Sequence, residues 1–169
     1  MKMLLASLLM IAAYSSSAQA AAFAETSHNR HEYSAYGNLG FTKGGLNLGG
    51  DFEYNIEPVW SVGAYGRMYP ADTDNNAAGL LTFGGFARVH HFKREWDFYA
   101  SVGAGLLMID QGANDETGIG PSLGLGVLYQ ITNKIAIGVE QMNHYGWFID
   151  ESARGLVLNE LSFKVHVGL

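Results

Sequence analysis

From Tyr33 to Leu169, apolar and polar positions alternate with a period of two, and the alternation restarts after each short break. A period of two places successive side chains on opposite faces of a strand, so the pattern predicts β-structure throughout. Eight such runs can be read: Tyr33–Phe41, Leu46–Tyr54, Trp60–Met68, Leu81–His90, Trp96–Met108, Ile119–Gln130, Ile135–Trp147 and Glu160–Leu169. The breaks between them are Thr42–Gly44, Asn55–Pro58, Pro70–Asn76, Lys93–Glu95, Asp110–Gly118, Thr132–Lys134 and Ile149–Gly155, all rich in turn-forming or charged residues. No stretch of the mature chain has a helical period.

The contents of the two faces narrow the fold further. One face is aliphatic and aromatic in nearly every run, with Gln141 and Asn143 interrupting it in the seventh. The other carries glycine and serine together with Asp51, Glu53, Arg67, Arg88, Asp97, Glu140, Glu160 and Lys164. Those charges cannot fill the core between two packed sheets, because burying an unpaired ion costs several kcal/mol. They can line the inside of a narrow closed barrel, where opposite charges and water meet them, while the apolar face looks outward at lipid. The predicted fold is therefore all-β: an eight-stranded antiparallel transmembrane up-and-down β-barrel spanning residues 33–169.

The turns agree with such a barrel. Three are tight, whereas three of the four at the other end are longer and acidic, holding Asp72 and Asp74, then Asp110, Asp115 and Glu116, then Asp150 and Glu151. Tight periplasmic turns opposite longer external loops are usual for outer-membrane barrels. Tyr54, Trp60, Trp96, Phe98, Tyr129, Tyr145 and Trp147 fall near strand ends, where an aromatic ring can meet the headgroup zone. Glycines on the inward face relieve crowding inside so narrow a wall.

The first thirty-two residues differ in kind. Lys2, the apolar run Met3–Tyr14 and the small residues ending at Ala20 read as a signal peptide over 1–20. Twelve apolar residues are too few for a spanning helix, which needs about twenty. Residues 21–32 lack a period and form a short N-terminal leader, in which His28 and His31 with Glu25 and Glu32 are the one place suited to a transition metal; a solvated tail is the simpler account. No cofactor or other metal site is expected.

Composition removes several functions. The chain of 169 residues has no cysteine, so disulfide and thiolate-metal scaffolds are excluded. Its net charge of -6, from 10 Lys and Arg against 16 Asp and Glu, lacks the basic surface that nucleic acid requires. Charged residues make up only 15% of the chain, below the roughly 25% of soluble domains, which again suggests a surrounding other than water.

With these residues in view, the chain resembles the small eight-stranded outer-membrane proteins of Gram-negative bacteria. The terminal strand Leu161–Leu169 is similar to the C-terminal signal read by the barrel-assembly machinery, with Leu169 where that signal usually ends in Phe. The resemblance implies residence in the cell outer membrane, contact with outer-membrane lipids and lipopolysaccharide, assistance from that machinery during biogenesis, and a monomer. Strand seven resembles more weakly that of the outer-membrane lipid A deacylases, whose pattern is His-any-Ser followed by a Glu on the next strand. His144 falls at the histidine position and Glu160 at the acid, but Gly146 stands where the nucleophile belongs, and Ser152 and Ser162 need another geometry. A serine hydroxyl requires a bonded base, and the base an acid, so the missing serine matters.

The expected function is a structural or surface-interacting barrel with no chemistry of its own. A lipid A hydrolase using His144 is one alternative, and a narrow channel for ions or small molecules is another. Within the lumen, Arg67 and Arg88 are expected to partner Asp51, Glu53 and Asp97, while Lys164 reaches a carboxylate across the interior and His90 and His166 add titratable groups.

Overall fold

The computed structural model of the protein describes residues 31–43, 45–71, 78–110, 115–148 and 155–169. The predicted signal peptide, Glu25, His28, Asp72, Asp74, Asp150, Glu151 and Ser152 lie outside the described residues. Eight strands form a closed barrel: β1 (Tyr33–Thr42), β2 (Gly45–Glu57), β3 (Trp60–Tyr69), β4 (Gly79–Lys93), β5 (Trp96–Asp110), β6 (Asp115–Gln130), β7 (Ile135–Phe148) and β8 (Leu156–Gly168). Every neighbouring pair is antiparallel in chain order, and β1 meets β8 from Ser34↔Gly168 to Phe41↔Leu161. Closure leaves no strand edge, so the ladder pairs the backbone groups of the wall internally.

The phase of all eight strands matches the alternation in the sequence. Their limits differ. β2 continues through Asn55 to Glu57 over a bulge and turns at Pro58 and Val59, while β6 begins at Asp115, inside what reads as loop, and β8 begins at Leu156, ahead of the run that starts at Glu160. In these stretches the ladder extends past the apolar alternation, so hydrogen bonding rather than hydrophobicity sets the ends.

The wall is inverted relative to a water-soluble protein. Leu39, Phe52, Val102, Leu125, Phe163 and Val165 are among the large apolar side chains exposed on the outside. The largest fully buried side chains include Arg67, Arg88, Lys164, Glu53, Glu140 and Glu160. Inward glycines act as floors for side chains arriving from neighbouring strands. A Cβ on Gly49 would strike the Arg67 side chain, one on Gly63 the Phe86 ring, and one on Gly126 the Tyr99 ring. Toward the loop end the lumen becomes apolar, where Tyr69, Leu80 and Leu107 pack together with Ile109, Leu156 and Leu158 against them.

At the tight-turn end, His31 and Glu32 cross the mouth of the barrel. Asn55 Nδ2 donates to the His31 carbonyl at 2.6 Å, Asn55 N donates to the Glu32 carbonyl at 2.9 Å, and His31 Nε2 donates to the Asn133 carbonyl at 3.1 Å. These two residues are thus tied to the base of the barrel, which differs from a solvated tail. No group of three or more metal-ligating residues occurs among the described residues.

Candidate functional site: the charged lumen

Three strands, β2, β7 and β8, project four carboxylates into one buried layer, and β3, β4 and β8 project three cations into it. Arg67 on β3 reaches Asp51 Oδ1 at 2.6 Å, Glu160 Oε1 at 3.3 Å and Glu140 Oε1 at 3.4 Å. Arg88 on β4 holds Glu53 Oε2 at 2.5 Å, Asp51 Oδ2 at 3.3 Å and Glu140 Oε2 at 3.4 Å. Lys164 on β8 donates to Asp51 Oδ2 at 2.5 Å and to Glu140 Oε2 at 3.0 Å. Asp51 and Glu140 each meet all three cations, so the layer is one network rather than a set of pairs.

Tyrosines complete it. Tyr69 donates to Glu160 Oε2 at 2.6 Å and Tyr36 to Glu53 Oε2 at 3.2 Å. The Arg88 guanidinium carbon lies 4.4 Å from the ring centroids of both Phe86 and Tyr99 and 5.1 Å from that of Tyr36; Lys164 Nζ lies 4.8 Å from the Tyr36 ring. Such faces attract a desolvated cation. Together with hydrogen bonds to most of the carboxylate oxygens, they offset the cost of removing so many charges from water.

Asp97 is not a partner of Arg67 or Arg88. Its carboxylate accepts from His90 Nδ1 at 2.9 Å, while His90 Nε2 faces Glu53 Oε1 and Ser61 Oγ, each at 3.3 Å. His90 therefore links the network to the half-buried Asp97 at the turn end. The stagger between β4 and β5 decides this: Asp97 pairs with Phe92 and projects beside His90, nearer the mouth than either arginine. His166, on β8, pairs instead with Ser34 Oγ at 3.0 Å and lies against Tyr36.

His144 points into the lumen and is 1% exposed. Its ring stands 5.3 Å from that of Tyr65, and its Nε2 meets no hydrogen-bonding group among the described residues. Glu160 belongs to Arg67 and Tyr69, so the two residues of the hydrolase alternative are not joined as base and acid. Cross-strand pairing places Ser122 of β6 opposite His144, a juxtaposition the sequence contained only as shared inward parity. That serine is also 1% exposed, and no hydrogen bond links it to the imidazole. Ser162 is buried too, with its Oγ near the Glu140 carbonyl at 3.5 Å. A membrane lipid approaching from outside would meet the β7 wall at Tyr145 and Trp147 and not the histidine.

No family model matches the chain, and no curated protein matches it. Among solved structures, the chain is similar to the N-terminal β-barrel domain of Pseudomonas aeruginosa OprF, with a TM-score of 0.63, 13% identity, and coverage of 81% of this chain and 98% of that one. It is also similar to Neisserial surface protein A, with a TM-score of 0.59, 19% identity, and coverage of 81% and 94%. At these identities the likeness is one of fold: all-β, eight-stranded, antiparallel and closed.

Proposed function

We propose that this protein is an integral outer-membrane barrel with a structural or surface-interacting role and no chemistry of its own. The observation that carries the reading is the inversion of the wall, with ions sealed inside and apolar side chains outside. Strands of 10 to 16 residues are long enough for a membrane, where a tilted spanning strand needs about 9–11. The two solved barrels of similar fold are consistent with outer-membrane residence. Contact with outer-membrane lipid and lipopolysaccharide, insertion through the barrel-assembly machinery by way of the β8 signal, and a monomeric state are parts of the same proposal.

The geometry supports the inert reading over both alternatives. A conducting path must pass Arg67, Arg88 and Lys164, whose side chains are 0–2% exposed, and then the apolar packing of Tyr69, Leu80 and Leu107. A lipid hydrolase needs its base on a face the lipid can reach, and His144 is inside.

One pair of measurements tests this. Lipid A from outer membranes with and without the protein should have the same mass spectrum, with His144→Ala making no difference. The protein in a planar bilayer should give no discrete conductance. Loss of an acyl chain dependent on His144, or stepwise current, would overturn the reading.

A further inference from the structure

The β4–β5 turn carries charge that the lumen network does not use. Lys93 and Trp96 face each other in the ladder, which leaves Arg94 and Glu95 as a two-residue connection. Arg94 has a φ of 56°, in the left-handed region. Tight hairpins require a positive φ at this position and favour glycine, asparagine or aspartate there. Turn geometry alone does not account for an arginine.

Beside the turn, on the outside of the wall, runs a groove lined by Lys93, Arg94, Glu95, Trp96, Phe98 and Val127. Trp96 and Phe98 are each 44% exposed, their rings stack at 6.3 Å, and Trp96 meets the Tyr129 ring at 5.0 Å. The groove therefore has a cationic rim and an aromatic wall that leads onto the aliphatic belt. In a chain of net charge -6, Lys93 and Arg94 enter no ion pair among the described residues. Lys134, in the β6–β7 turn, adds another cation at the same end, while Lys43 is the single exposed cation at the other among the described residues.

We infer that this groove binds the headgroup of an anionic glycerophospholipid, with its phosphate on Lys93 and Arg94 and an acyl chain along Trp96, Phe98 and Val127. The inference rests on the membrane reading above and names a partner for it. Two cations and the Glu95 carboxylate leave the rim with one net positive charge, which matches the single negative charge of a phosphodiester lipid. A zwitterionic headgroup brings no net charge to that match. Arginine adds a planar fork of donors suited to phosphate oxygens, and an indole at the interface is where ring and headgroup meet.

The test uses the indole at the site. Trp60→Phe with Trp147→Phe leaves Trp96 as the sole tryptophan of the three. This protein is folded into phosphatidylcholine vesicles containing a minor fraction of brominated lipid, either phosphatidylglycerol or phosphatidylcholine, and quenching of Trp96 is compared. The site predicts preferential quenching by brominated phosphatidylglycerol, corresponding to an enrichment on the order of fivefold for even one basic residue near the surface. The preference should vanish in Lys93→Gln with Arg94→Gly, a variant whose glycine suits the turn and preserves the fold. Equal quenching by the two lipids, or a preference that survives the double substitution, overturns the site. Absence of quenching even when all the phosphatidylcholine is brominated overturns the membrane reading, and the site with it.

Discussion

On β8 the two faces of one strand live in opposite surroundings. Glu160, Ser162 and Lys164 are each 1% exposed, whereas Leu161, Phe163 and Val165, which alternate with them, are 56%, 60% and 50% exposed. The backbone and its ladder are shared, so only the side chains distinguish the faces. The inner face is organised by particular partners: Lys164 must find Asp51 and Glu140, and Arg67 must find Glu160 across the lumen. The outer face shows only a general property, a continuous apolar surface, which the proposed membrane setting would turn toward lipid. The two faces should therefore fail in different ways, the inner when one member is removed and the outer when a charge is added.

The largest effect is expected inside. Arg88→Ala leaves Glu53 without its 2.5 Å partner and withdraws a cation from Asp51 and Glu140, which should cost about 3–5 kcal/mol in urea unfolding of the protein in vesicles. A melting temperature and urea midpoint equal to the parent's would refute the network's role. Next comes the outer wall. Leu123→Arg, in the middle of β6 and 47% exposed, should cost about 2–4 kcal/mol at the bilayer midplane, while Leu123→Ile should be close to neutral.

Smaller changes sharpen the contrast. Gly126→Val drives a side chain into the Tyr99 ring and should cost about 1–3 kcal/mol by overpacking, visible as a lowered urea midpoint. The outer face also has its own exception, since Asn143 of β7 pairs with Asn159 of β8 on the outward side. Asn143→Leu should stabilise the barrel in vesicles by about 1 kcal/mol, because a poorly satisfied amide in an apolar medium is unfavourable. A loss of stability would mean that this patch faces something other than lipid chains.

The phase of every strand was legible because alternation is written into adjacent residues. Strand ends were less so: Asp115–Gly118 and Leu156–Asn159 belong to ladders, but their side chains do not follow the apolar pattern. Pairing in the lumen was least legible. Inward parity is visible for Arg67 and Glu160, but their contact joins β3 to β8 across the interior and depends on how the strands are staggered on closure. The same stagger sends Asp97 to His90 and places Ser122 opposite His144. Tyr36 and Tyr99 have inward parity in their runs and Tyr69 follows the third run, a placement that names no partner. Their service to Glu53, Glu160 and Arg88 follows from distances the sequence does not contain.

In a bilayer, the outward wall is expected to meet lipid along its length while the inward wall meets neither lipid nor bulk water. The chain has no cysteine, so nitroxide labels can be placed singly at successive positions of β6 from Ile119 to Leu125 in reconstituted vesicles, and their collisions with oxygen and with a water-soluble nickel chelate compared. Ile119, Leu123 and Leu125 should favour oxygen over nickel, with Ser122 and Gly124 shielded from both, giving a period of two. Outward positions that the nickel chelate reaches as readily as oxygen does would contradict it.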